Sequence, residues 1–134
     1  MTVLLSSSFT SEFLAFSSIE HFKDDSGYRL DVEIKSGPFS ANYPFFIESF
    51  PVKQFLASLE ALHESLAGEA LLKPSYEPQF IRIRAGIGGH MFVSGELLVH
   101  SELPQSLKFQ FRTEQTCVGL FRQQLHHELG AVAF

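Results

Sequence analysis

A chain of 134 residues with 45% hydrophobic and 19% charged side chains has the make-up of one globular domain, residues 1–134, and not of a disordered tail. Its net charge of −5 argues against a nucleic-acid partner, whose phosphates require a basic face. No apolar run approaches the roughly 20 residues of a membrane span, and the lone Cys117 cannot close an internal disulfide.

The first eight residues have neither the basic start nor the long apolar run of a signal peptide, which together with the single cysteine predicts a reducing, cytoplasmic setting. Glu12 to Phe22 mixes phenylalanine with serine and reads as a strand or pair of strands; its pattern says nothing more about the N-terminal 27 residues. Asp24-Asp25-Ser26-Gly27 is a turn by composition. From Tyr28 to Lys35 the chain alternates strictly. Tyr28, Leu30, Val32 and Ile34 stand against Arg29, Asp31, Glu33 and Lys35, the mark of a strand with one face buried. Ser36-Gly37-Pro38 ends it, and Tyr43 to Glu48 is expected to return alongside, with Pro44 at an edge or strand start.

A helix is expected next. Pro51 suits a first turn, and Phe55, Leu59, Leu62 and Leu66, with Leu56 beside them, form one apolar stripe at helical spacing. Gly68 is the expected left-handed stop. Phe80–Ala85 and Met91–His100 flank Gly86-Ile87-Gly88-Gly89 and predict a hairpin. A three-residue loop, Ile87–Gly89, sets Ile83 against Val93 and Ala85 against Met91, with Arg82 and Arg84 sharing the other face with Ser94 and Phe92. A slip of one residue would mix charges into the apolar side. After a turn at Ser101–Gln105, Leu107, Phe109 and Phe111 alternate with Lys108, Gln110 and Arg112. Thr113 or Thr116 is suited to cap a last helix, with Glu114 near its positive end. Val118, Phe121, Leu125 and Leu129 make its inward stripe, and Gly130 is expected to end it. The elements, without a recognisable internal repeat, predict an α+β fold: an antiparallel β-sheet of about six strands with two amphipathic helices packed on it. Fifteen phenylalanines and no tryptophan predict a Phe-rich core.

No pattern of residues specifies catalysis. The Gly86–Gly89 loop precedes a strand, whereas a phosphate cradle has to open a helix. His126 and His127 are adjacent and so point about 100° apart on a helix, and His90 and His100 lie roughly 33 Å apart along one strand. Zinc-type spacing is absent, so neither metal nor cofactor is expected. Cys117, in the first turn of the last helix, is the one candidate nucleophile, and a small packed side chain is the plainer account of it. Glu60 and Glu64 stand one turn apart on a helix; with Glu69, Asp24 and Asp25 they are candidates for an acidic partner-binding surface, against the plain reading of a solvated face.

Several landmarks together resemble the WapI-type immunity proteins of bacterial toxin–immunity pairs. They are Phe39 after Gly37-Pro38, the stripe Phe55-Leu56-x-x-Leu59-x-x-Leu62, and Leu66-Ala67-Gly68-Glu69-Ala70-Leu71. Gly95 and Leu107-Lys108-Phe109-Gln110-Phe111 before Glu114-Gln115-Thr116 complete the set. The likeness runs from about Tyr28 to Leu129. Glu114 stands where that pattern has Asp. The resemblance implies a non-catalytic protein that binds and blocks a cognate toxin, with no catalytic residues to transfer. Two rivals stand beside it. One is a small-ligand-binding protein or enzyme using a pocket between sheet and helices. The other is a structural subunit forming a homo-oligomer through a sheet edge or exposed Phe patch.

Overall fold

The computed structural model describes residues 2–7, 11–99 and 101–133, the last four of these through their backbone only. Among them the order is β1 (Val3–Ser6), β2 (Phe13–His21), β3 (Gly27–Ser36), β4 (Phe39–Glu48), α1 (Ser49–Ser65), β5 (Glu69–Leu72), β6 (Phe80–Ala85), β7 (His90–Val99), β8 (Gln105–Glu114) and α2 (Gln115–Ala133). The fold class is α+β, as the patterns predict. The strands, however, form two antiparallel meanders of four, β1-β2-β3-β4 and β5-β6-β7-β8, in place of one sheet of about six. The additional strands, β1 and β5, are four residues long each and carry only two alternations of side chain.

In the first sheet, Tyr28, Leu30, Val32 and Ile34 of β3 are all buried, and Arg29, Asp31, Glu33 and Lys35 face outward. Glu12–Phe22 resolves into the single strand β2, interrupted by a bulge between Ser17 and Glu20 where Ser18 takes a φ of 50°. Gly37 and Pro38 form a two-residue turn that pairs Ser36 with Phe39, so β4 begins four residues before the expected Tyr43. Pro44 lies in β4, an edge strand with no further neighbour to need its missing N–H.

The second sheet follows the parity of its side chains. Ile83 faces Val93, Ala85 faces Met91, Arg82 faces Ser94 and Arg84 faces Phe92, and the Gly86 N–H donates to the His90 carbonyl at 2.8 Å. Gly95 has a steric reason to be glycine. A Cβ there would run into the Phe80 carbonyl oxygen and come within 2.7 Å of the Phe109 ring.

Both helices begin directly after a meander. In α1, Val52, Phe55, Leu56, Leu59 and Leu62 are buried, each contributing roughly 1.5–3 kcal/mol toward holding a helix that would be marginal alone. Leu66 departs from the expected stripe: it is 40% exposed and takes the left-handed C-cap, φ 56°, so the helix stops before Gly68. In α2 the stripe Val118, Phe121, Leu125 and Leu129 is buried as expected, but the helix continues past Gly130 to Ala133. The Thr113 hydroxyl lies in β8 and donates to the Ser6 carbonyl at 2.6 Å, tying the second sheet to the first.

The chain thus consists of two successive ββββα units, a repeat that the residues alone do not reveal. The contacts are reciprocal. α1 packs on β3 and β4 of its own unit and reaches β5 and β6 of the next; α2 packs on β7 and β8 and reaches back to β1 and β2. Once the halves are aligned, the spacing Val52-x-x-Phe55-x-x-x-Leu59 recurs as Val118-x-x-Phe121-x-x-x-Leu125. The buried cluster draws on both sheets and both helices. It is less Phe-rich than expected: Phe16, Phe45, Phe55, Phe109, Phe111 and Phe121 are buried, whereas Phe39, Phe46 and Phe50 are exposed.

Candidate partner-binding surface

The acidic residues do not assemble into one face. Asp24 and Asp25 occupy the β2–β3 turn, where Asp24 accepts hydrogen bonds from the Ser26 hydroxyl (2.6 Å) and N–H (3.1 Å), and these hold its carboxyl below the usual aspartate range. Asp25 pairs with His21 at 2.8 Å, and its carbonyl accepts the Ser49 hydroxyl at 2.9 Å where α1 begins. These two residues fasten a turn to a helix start. Glu60 and Glu64 are exposed on α1, roughly 17 and 23 Å along the helix from Ser49. Glu69 lies on β5 and pairs with Arg82 at 3.2 Å.

The remaining candidates take structural positions. Cys117 is half-buried against the core. His126 and His127 are exposed, His90 pairs with Glu114 at 3.0 Å, and His100 lies outside the described residues. Among the described residues no group of three or more His, Cys, Asp or Glu is placed to hold a metal ion. Gly86–Gly89 is a hairpin turn, and the Gly89 carbonyl accepts the Gln115 N–H at 3.0 Å where α2 starts.

What does assemble is the outer face of the second sheet with the grooves beside β5. Register aligns Glu69, Arg84, Phe92 and Arg112 in one row across the four strands, and Leu71, Arg82, Ser94 and Gln110 in the next. Phe80, Glu96 and Lys108 make a third row. The Arg84 guanidinium lies 4.9 Å from the centre of the Phe92 ring and that of Arg82 lies 5.2 Å from the centre of Phe80. An open groove of about 630 Å³ separates α1 from β5, lined by Phe50, Gln54 and Ala57 on the helix and by Glu69, Leu71 and Lys73 on the strand side. A second, of about 640 Å³, continues from Leu71 and Lys73 to Tyr76, Phe80 and Arg82. Phe50 and Tyr76 are 68% and 93% exposed, an apolar rim on a charged face. The sequence signal for this surface is present but faint. Arg82 and Arg84 alternate with isoleucine, and Lys108 and Arg112 alternate with phenylalanine, yet only the pairing of β6 with β7 and β8 brings them together.

A family of immunity proteins described as WapI-like matches residues 7–132, nearly the whole chain. The chain belongs to the immunity protein WapI-like family. Membership agrees with the resemblance read from the landmarks, and two of these now have structural reasons: Gly95 admits Phe109 beside the Phe80 carbonyl, and the Phe55–Leu62 stripe faces the core. No curated protein and no solved structure matches the chain. Among the described residues no helix is long and apolar enough to cross a membrane.

Proposed function

We propose that this protein neutralises a cognate toxin by binding it directly, without catalysis, in the cytoplasm of the bacterium that makes the toxin. Family membership over residues 7–132 carries this reading. The outer face of the second sheet supports it, since half-buried Phe80 and Phe92 beside arginines, with exposed Phe50 and Tyr76 at the rim, have the composition of protein interfaces. Occlusion is stoichiometric, so protection should rise with the molar ratio and be complete near one inhibitor per toxin. Calorimetric titration against the toxin encoded beside this gene, paired with an assay of that toxin's activity, tests it. A saturable complex with matching loss of activity is expected. Absence of any complex would overturn the proposal, and complete protection by a small fraction of an equivalent would point to an enzyme instead.

The five carboxylates expected to meet the partner fall in three places. Glu60 and Glu64 remain as an exposed ridge for a basic rim, while Asp24, Asp25 and Glu69 are engaged within the chain.

A further inference from the structure

We propose that the outer face of the β5–β8 sheet is the docking surface, and that it takes an acidic, carboxylate-rich surface of a protein partner. The inference rests on the toxin-binding reading and supplies its interface. Four of the chain's ten lysines and arginines, Arg82, Arg84, Lys108 and Arg112, stand on this face against three carboxylates, Glu69, Glu96 and Glu114, although the whole chain carries −5. On the outer face of the first sheet the balance is reversed: Glu20, Asp31 and Glu33 outnumber Arg29 and Lys35. A charge gathered against the sign of the molecule selects a partner of opposite sign and steers its approach.

The arginines are prepared for carboxylates. A guanidinium lying on a phenyl ring is confined before binding, so less side-chain entropy is lost when it docks, and the N–H groups at its edge match a carboxylate in two parallel hydrogen bonds. Arg84 on Phe92 and Arg82 on Phe80 have this arrangement. The face already binds carboxylates of its own chain, Glu69 at Arg82 (3.2 Å) and Glu96 at Lys108 (3.7 Å). A single-stranded nucleic acid would need ring faces open for base stacking, and here guanidinium groups lie over them.

Titration of the full chain with the toxin encoded beside its gene, at about 50 and about 300 mM salt, tests the assignment. Arg84→Gln combined with Arg112→Gln is expected to weaken binding by roughly thirtyfold or more, and added salt to weaken the wild-type complex by roughly tenfold. Lys108→Gln, whose side chain is 82% exposed, is a second variant that leaves folding untouched and is expected to weaken binding by about threefold. Circular-dichroism melts establish that each variant is folded. If folded Arg84→Gln/Arg112→Gln and Lys108→Gln bind like wild type, the interface is wrong while toxin binding stands; if wild type does not bind, the toxin reading fails first. Binding of labelled oligothymidylate that disappears in the arginine double variant would overturn the protein partner in favour of nucleic acid.

Discussion

Leu66 shows how a single residue is overruled by its place in the chain. Its spacing continues the apolar stripe of α1, but it closes the helix in the left-handed region at φ 56°, donating its N–H to the Leu62 carbonyl at 2.9 Å. A leucine in that conformation costs about 1–2 kcal/mol, which glycine avoids. Because the side chain is 40% exposed, little burial offsets the strain. Leu66→Gly is therefore expected to stabilise the protein by about 0.5–1 kcal/mol, read as a higher urea midpoint with an unchanged slope. A lower midpoint would mean that the leucine's apolar contacts outweigh its backbone strain. Gly68, the expected stop, instead takes φ 89° in the link to β5.

Between elements, the start of α1 is fixed by groups distant in sequence. Glu48, at the N-cap position, makes no side-chain cap hydrogen bond; its carboxylate accepts the Ser75 N–H at 2.8 Å and so joins the helix start to the β5–β6 link. Burial works to raise its pKa, but the Ser75 hydrogen bonds and nearby Lys73 prevail and hold it below the ordinary glutamate range. A lowered folded-state pKa means that unfolding takes up a proton. The stabilisation is therefore complete above the ordinary value of about 4.3 and is lost as pH falls through the folded value. Glu48→Gln is expected to cost on the order of 0.5–1 kcal/mol at neutral pH, since Glu48 keeps solvent contact, and to cost less near pH 3. Urea unfolding at both pH values measures the difference, and an equal cost at each would refute it. The same dependence on partners explains why β5 escapes pattern reading. Glu69–Leu72 fits one turn of helix as well as a short strand, and pairing with β6 decides.

At the scale of the molecule, the two ββββα units are interlocked, since each helix reaches the first two strands of the other unit. The first unit alone would lose the cover of α2 over β1 and leave the stripe of α1 without β5, exposing Val3, Leu5, Leu56 and Leu59, which are buried in the whole chain. A fragment of residues 1–66 is expected to show no cooperative thermal transition by circular dichroism and collapsed amide dispersion by NMR. A folded fragment would show that the units are independent. The sequence by itself determined the strands with three or more clean alternations, the hairpin register at Gly86–Gly89, the inward stripes of both helices, and the family. These rest on local periodicity, which burial of one face enforces within a few residues. Only the tertiary structure decided that there are two sheets, that the acidic residues lie apart, and that Arg82, Arg84, Lys108 and Arg112 share one face. Those outcomes depend on which strand lies beside which, and hydrogen-bonded pairing between distant segments leaves no period in the chain to read.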